Sequence, residues 1–256
     1  MEINEEFALF YGILLGDGSI GKYGYKKYKN KFNYNINITC NALDDWPFTN
    51  KVILPILKEI TGKEIFPRKD IDRNSIRINF SNKPLFYFLK GIGFPVGKKG
   101  QNLIIPSIFY EKNLIKYIIQ GFFATDGCIC LTKNPNKYYP RIESQTIHKK
   151  MILQIKDYLE FLGMKGKFYD CKSKPSLHFK NVQARYKFQF NGKENLLLFE
   201  KHIGFVNPKH KDRFSNFLKY SETYDQLIAG VPSCEQKYYR LENMTPRGFE
   251  PRTTSS

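Results

Sequence analysis

Gly12-Ile13-Leu14-Leu15-Gly16-Asp17-Gly18-Ser19 comes back, altered, as Gly121-Phe122-Phe123-Ala124-Thr125-Asp126-Gly127-Cys128. One chain thus carries two copies of an apolar helix that ends in Asp-Gly. Each copy sets small residues four apart, Gly12 with Gly16 and Gly121 with Thr125, so two such helices can cross with their backbones almost touching. Each also puts its only carboxylate at the negative end of the helix dipole, where an anion is disfavoured. Two carboxylates gathered at two helix C-termini make physical sense mainly when a cation sits between them.

A single copy would read as an ordinary helix stop, since Asp-Gly ends helices and starts turns in many proteins. A second landmark changes that weighting. Ile92-Gly93-Phe94-Pro95-Val96-Gly97-Lys98 reappears as Ile203-Gly204-Phe205-Val206-Asn207-Pro208-Lys209; Gly93 to Gly204 is 111 residues and Asp17 to Asp126 is 109. The segments between also correspond, Ile76-Arg77-Ile78-Asn79-Phe80 with Tyr186-Lys187-Phe188-Gln189-Phe190, each an alternating strand followed by a short apolar helix. The expected organisation is a repeat over 1–109, a second over 110–220 and a polar tail over 221–256.

The first repeat reads as a helix over 5–16, strands over 19–28 and 32–40, a helix over 46–61 interrupted by Pro55, strands over 64–68 and 75–80, and a helix over 84–91. The second reads as a helix over 114–125, strands over 128–133 and 139–146, a helix over 149–162 closed by Gly163, strands over 167–171 and 185–190, and a helix over 194–202, with 110–113 as linker. The class is α+β. Each four-stranded antiparallel sheet, covered by helices on one side, leaves its other face for a partner. Strand alternation nominates Lys22, Lys26, Tyr28, Arg77 and Asn79 in the first repeat, and Lys133, Arg141 and Lys187 in the second, as outward residues able to reach such a partner.

Formal net charge is +17, the sequence pI is near 9.5 and 16% of residues are aromatic, a balance suited to tracking a phosphate backbone. Richness in Lys, Asn, Ile, Tyr and Phe also follows from A/T-rich coding, so charge by itself supports nucleic-acid binding only modestly. No apolar run reaches membrane-spanning length, and the acidic start Met1-Glu2-Ile3-Asn4-Glu5-Glu6 is unlike a signal peptide. Five cysteines point to free thiols in a reducing intracellular compartment, cytoplasm, nucleoid or organelle. Cys128 and Cys130 read as alternate faces of a strand rather than a zinc pair, since one residue separates them and zinc ligands usually have two to four residues between them.

Phe10-Tyr11-Gly12-Ile13-Leu14-Leu15-Gly16-Asp17-Gly18 and Ile119-Gln120-Gly121-Phe122-Phe123-Ala124-Thr125-Asp126-Gly127 resemble the two motifs of the single-chain, intron-encoded LAGLIDADG homing endonucleases. Both keep the early glycine and the closing Asp-Gly; the inner acidic position holds Leu15 and Ala124, a place where the family is loose. The resemblance implies two pseudo-symmetric αββαββα repeats packed through the motif helices, each sheet half of a DNA-binding saddle, in a monomer with an internal pseudo-twofold. It implies a metal-dependent double-strand break with short 3′ overhangs at a long asymmetric duplex target, the insertion site of an intron, spanning about two helical turns of ~10 bp.

Such hydrolysis needs a nucleophilic water, a Lewis acid and something to offset developing charge. On the resemblance, Asp17 and Asp126 are the metal ligands and catalytic carboxylates, with the carbonyls of Gly16 and Thr125 as further oxygens, Mg²⁺ as the ion and Mn²⁺ as a substitute. Lys98 and Lys209 match the family's basic residue near the scissile phosphate, with Lys99 and Lys211 beside them. Gln145, and more loosely Asn41, match a polar residue of its solvent network. Two other readings use the same fold: an RNA maturase assisting splicing of its own intron RNA, and a cleavage-dead DNA-binding protein. Retention of both aspartates favours the nuclease. In the tail, Gly248-Phe249-Glu250-Pro251-Arg252 is what the T-arm of a tRNA gene would encode, suggesting a reading frame that runs from an intron into such a gene.

Overall fold

The computed structural model describes residues 1–25, 28–70, 72–134, 137–172 and 184–220. Lys26, the side chains of Tyr28 and Lys133, and the tail from 221 with its pentapeptide lie outside the described residues. In chain order the elements are α1 (Glu5–Asp17), β1 (Gly18–Tyr25), β2 (Tyr28–Asn41), α2 (Trp46–Phe48), α3 (Leu54–Thr61), β3 (Arg68–Asp70), β4 (Ser75–Ser81), α4 (Lys83–Gly91) and α5 (Ile108–Glu111). They continue as α6 (Ile115–Asp126), β5 (Gly127–Asn134), β6 (Lys137–Thr146), α7 (Lys149–Phe161), β7 (Gly166–Lys172), β8 (Ala184–Asn191), α8 (Lys193–His202) and α9 (Pro208–Tyr220). The strands form two antiparallel four-stranded sheets, ordered β1-β2-β4-β3 and β5-β6-β8-β7. The described residues divide into two compact units: Met1–Asp126 with Phe205–Lys209, and Gly127–Gly204 with 210–220.

In the first unit α1 starts at Asn4, whose side chain accepts from the Phe7 N–H at 2.9 Å. Beyond its acidic first turn the helix is apolar on every side, as a fully buried helix must be, and Phe7, Ala8 and 10–15 are all buried. It packs along α6. A side chain on Gly12 would strike the Ile118 carbonyl, one on Gly121 the Leu9 carbonyl, and one on Gly16 the Thr125 hydroxyl. The small-residue spacing thus sets how closely these helices approach.

Ile20, Ile36, Ile38, Ile76 and Ile78 are buried beneath the first sheet, leaving Arg77 and Asn79 on its other face. In the second unit Ile129, Ile142, Phe188 and Phe190 are buried, as are Met151, Ile152, Ile155 and Leu159 of α7 and Leu196 and Phe199 of α8, the helices that lie against this sheet.

Several boundaries differ from expectation. The strand expected over 64–68 forms later, as Arg68–Asp70, because Pro67 has no N–H to give a ladder. Tyr28 opens β2 rather than closing β1. The helix expected over 46–61 passes through a wider π-helical stretch at Thr49–Ile53 before α3, which accommodates Pro55, a residue that can neither bond nor clear the carbonyl four residues back. The expected linker at 110–113 overlaps the end of α5, whose Phe109 is buried with its ring centroid 4.8 Å from that of Tyr11. Helix α9 had no sequence counterpart in the repeat.

The repeated Ile-Gly-Phe is a helix stop. Gly93 has φ +97° and Gly204 φ +80°, and each N–H turns back to the end of α4 or α8, Gly93 to the Lys90 carbonyl at 3.1 Å and Gly204 to that of Phe199 at 3.0 Å. Only glycine adopts this left-handed conformation without strain. Gly93→Ala meets no close neighbour, Pro106 Cγ being 3.8 Å away, so its cost is conformational. It is expected to be about 1–2 kcal/mol, seen as a midpoint lower by about 3–6 °C in thermal denaturation.

Candidate active site

The chemistry gathers where α1 and α6 end, within the first unit. Asp17 and Asp126 are the last residues of their helices. They are held together by the crossing just upstream: a Cβ on Gly16 would stand 3.4 Å from Asp126 Oδ2. Burial raises the Asp17 carboxyl to about 7, the charge of Asp126 adds to this and then that of Asp45, while Lys99 and Lys209 oppose it. Burial raises Asp126 as well, against the same two lysines. At neutral pH without a cation the pair therefore tends to keep a proton. Thr125 Oγ1 donates back to the Phe122 carbonyl at 2.9 Å, leaving its own backbone carbonyl at the helix end.

In the first repeat it is Lys99, rather than the expected Lys98, that enters this cluster. Val96 bridges Ile20 in parallel, and the Gly97 N–H donates to the Ile20 carbonyl at 2.8 Å. Lys98 is thereby exposed and the next residue is brought back toward α1. Lys99 Nζ donates to the carbonyls of Leu14 at 3.1 Å, Leu15 at 2.8 Å, and Gly16. It caps the C-terminal carbonyls of α1, including the one expected to serve a metal. Burial lowers the Lys99 ammonium, with Asp126 and Asp17 pulling it back up.

Lys209 lies close enough to both aspartates to oppose their rise, and it pairs with Asp45 at 2.7 Å. Asp45 and Asn207 were passed over in the sequence. Asn207 is one letter of the second landmark, and nothing near Asp45 in the chain signals its partners. Asn207 is fully buried and donates to Asp45 Oδ1 at 2.9 Å and to the Ala124 carbonyl at 2.8 Å. Cys40, also buried here, has its thiol pushed up to about 12 by burial and then by Asp17 and Asp45, so it is no nucleophile. Asn41 closes a turn, its Oδ1 accepting from the N–H groups of Leu43 and Asp44 at 2.9 and 3.0 Å. Gln145 belongs to the second unit, exposed on β6 across from Lys187.

Among the groove-reading candidates, Arg77 and Asn79 lie on the open face of the first sheet, Arg77 within 3.6 Å of Asp70. Lys22 does not. It shares strand parity with buried Ile20 and pairs with Tyr34, so it lies on the helix-covered side, its ammonium 4.0 Å from the Phe32 ring centroid. Lys22 is exposed there, beyond the buried Ile20; Ser19 and Tyr23 take the opposite parity, one residue out of phase with the expected pattern. On the second sheet Arg141 and Lys187 lie opposite the buried face and both bind Glu143 Oε2, at 2.7 and 2.6 Å. Cys128 and Cys130 share one face, Sγ to Sγ 3.5 Å, and not the alternate faces expected, because side chains two apart on a strand point the same way.

A hard divalent cation fits the donors present. Two carboxylates of raised proton affinity and the carbonyls at two helix ends are all oxygen ligands, and a cation there relieves both the repulsion and the unfavourable dipole ends. Among the described residues no three His, Cys, Asp or Glu side chains converge on one point, so backbone oxygens and water would complete the shell.

Residues 113–204 match the family model of the LAGLIDADG-like domain. No curated protein sequence matches the chain. Among solved structures, the homing endonuclease I-LtrWI bound to target DNA aligns at TM-score 0.55 and 12% identity over 94% of this chain and 98% of its own. I-SmaMI bound to an uncleaved DNA target with calcium aligns at 0.54 and 11% over 96% and 100%. I-DmoI with DNA and calcium aligns at 0.53 and 17% over 80% and 92%. At such identities the likeness is one of fold, and it agrees with the two sheets and the paired motif helices. The chain carries a LAGLIDADG-like domain within the two-sheet α+β fold of the LAGLIDADG homing endonucleases.

Proposed function

We propose that this protein is a site-specific DNA endonuclease that makes a divalent-metal-dependent double-strand break with 3′ overhangs at a long asymmetric target, the insertion site of an intron. The observation that carries this reading is the meeting of Asp17 and Asp126, both raised by burial, with Lys99 and Lys209 beside them. A protein that only binds DNA or RNA gains nothing from two buried, mutually repelling carboxylates. Each repeat, 1–109 and 110–220, supplies one carboxylate and one lysine. Of the solved structures of this fold named above, I-DmoI is in complex with DNA and calcium, I-LtrWI is bound to target DNA and I-SmaMI to an uncleaved DNA target with calcium ions.

Asp17, Asp126 and the carbonyls of Gly16 and Thr125 would hold Mg²⁺, or Mn²⁺ in its place, once the pair has shed its proton. The bound ion supplies Lewis-acid stabilisation of the phosphoryl and leaving oxygens and a more acidic water. Lys99 and Lys209 set positive charge beside the scissile phosphates; Lys99 would have to release the Gly16 carbonyl when an ion takes it. Arg77, Asn79, Arg141 and Lys187 offer donors to backbone and bases, the last two exchanging Glu143 for the duplex.

The test is incubation of the full chain and Mg²⁺ with a plasmid library carrying candidate intron-insertion sites, among them uninterrupted tRNA genes. Linearised plasmids with one shared cut site and 3′ ends are expected, with no cutting in EDTA. Tight duplex binding without any cut in Mg²⁺ or Mn²⁺ would leave the protein a DNA-binding one.

A further inference from the structure

Lys209 and the end of α6 are both tied to a carboxylate for which the cation site has no direct use. Asp45 is 6% exposed and stands at the N-cap position of α2. An aspartate there ordinarily accepts from the first N–H groups of its helix. Asp45 makes no such bond. Its Oδ1 accepts from Lys209 Nζ at 2.7 Å and from Asn207 Nδ2 at 2.9 Å, and its Oδ2 from the Asn41 N–H at 3.2 Å. Asn207 Nδ2 also donates to the Ala124 carbonyl at 2.8 Å, two residues before Asp126, while its Oδ1 accepts from the Lys209 N–H at 3.1 Å. These contacts link Asp45, Asn207 and Lys209 into one network attached to the helix end that carries Asp126.

Placing a third carboxylate near an acidic pair is costly unless it holds a cation or its removal would leave donors orphaned. A lysine, with a flexible four-carbon stem and three rotatable donors, needs such a partner to point its ammonium one way. The device draws Asp45 from the first repeat and Asn207 and Lys209 from the second, and among the described residues it is not mirrored at the matching positions. The N-cap of α7, the matching helix of the second repeat, is His148, and Lys99 is held by backbone carbonyls instead.

We propose that Asp45 is a positioning residue of the candidate site, holding the Lys209 ammonium beside the paired aspartates and, through Asn207, fixing the last turn of α6. The inference rests on the nuclease reading for its consequence but not for its test. The first measurement is lysine acetylation of the full chain at limiting reagent, followed by mass spectrometry. A charge-assisted hydrogen bond should make Lys209 about tenfold slower than the exposed Lys98 in the wild type, and Asp45→Asn should erase most of that protection while Lys99 keeps its own rate. This comparison within the wild-type chain decides even where a variant folds poorly.

The second measurement is the cleavage rate of a prebound duplex recovered from the library, with binding measured separately in Ca²⁺. Asp45→Asn is expected to slow the cut about tenfold or more, with duplex affinity unchanged, and to add no further loss to Lys209→Met, because the two act as one unit. Lys209 labelled as fast as Lys98, or losses that multiply in the double variant, would overturn the proposal. A wild type that cuts nothing would remove the nuclease reading, and the acetylation ratio would still decide whether Asp45 holds Lys209.

Discussion

Asp17→Asn is expected to abolish cleavage, by about three orders of magnitude or more, and at the same time to make the metal-free protein more stable. The two effects share one cause. The Asp17 carboxyl is raised from its ordinary 3.8 to about 7. Between those values the folded chain keeps a proton that the unfolded chain has lost, so stability from this group is intact below about 4 and is lost as pH rises toward 7. Above pH 7 the native state carries the full penalty of a buried, repelled charge, on the order of a few kcal/mol. Asparagine removes that penalty and also removes the ligand.

Thermal denaturation in EDTA should therefore show Asp17→Asn higher than wild type by about 5 °C at pH 8, with little difference at pH 4. Adding Mg²⁺ should raise the wild type and leave the variant unmoved, and the wild-type response should grow with pH through about 7 as ion and proton compete for one site. A variant that is neither stabilised at pH 8 nor inactive would show that Asp17 is not the strained ligand described here. Asp126→Asn is expected to move in the same directions, since burial raises that carboxyl too.

Gly121→Ala is expected to be severely destabilising for a single added methyl group. The new Cβ would run into the Leu9 carbonyl and lie 2.9 Å from the Ile13 nitrogen, so backbone, not a side-chain tip, must give way. Gly12→Ala does the same from the other helix, against the Ile118 carbonyl and 3.0 Å from the Phe122 nitrogen. Overpacking of this kind costs about 3 kcal/mol or more, so a fall of about 10 °C in the thermal midpoint is expected for each. Because both changes push on one contact, the double variant should lose less than the sum. The helices part where their C-terminal aspartates must meet. The fraction that still folds should therefore cleave about a hundredfold more slowly. Near-wild-type stability for either alanine would mean that the helices do not cross this closely in solution.

Much of this protein was legible without coordinates wherever a physical requirement acts on neighbours in the chain. The apolar faces of α1 and α6, the four-residue spacing of Gly12, Gly16, Gly121 and Thr125, and the doubled Asp-Gly announce two helices that cross and end on carboxylates. The Ile-Gly-Phe landmarks announce two helix stops, because a left-handed turn needs glycine at Gly93 and Gly204. Alternation marked Arg77 and Asn79 as outward. It failed for Lys22, whose partner Tyr34 lies on the helix side, because a strand's phase is set by which residues the core accepts and not by the first basic letter.

Only the tertiary structure decided which polar groups complete the acidic pair. Lys99 supplants Lys98 because Val96 and Gly97 are pinned to Ile20, a contact between segments some 76 residues apart. Asp45 joins Lys209 across 164 residues, and Asn207 reaches Ala124 across 83. Secondary structure follows from the spacing of neighbours, whereas hydrogen-bond partners are chosen by burial: a carboxylate or ammonium taken out of water accepts whichever counterpart the folded backbone brings within about 3 Å, however distant it is in sequence.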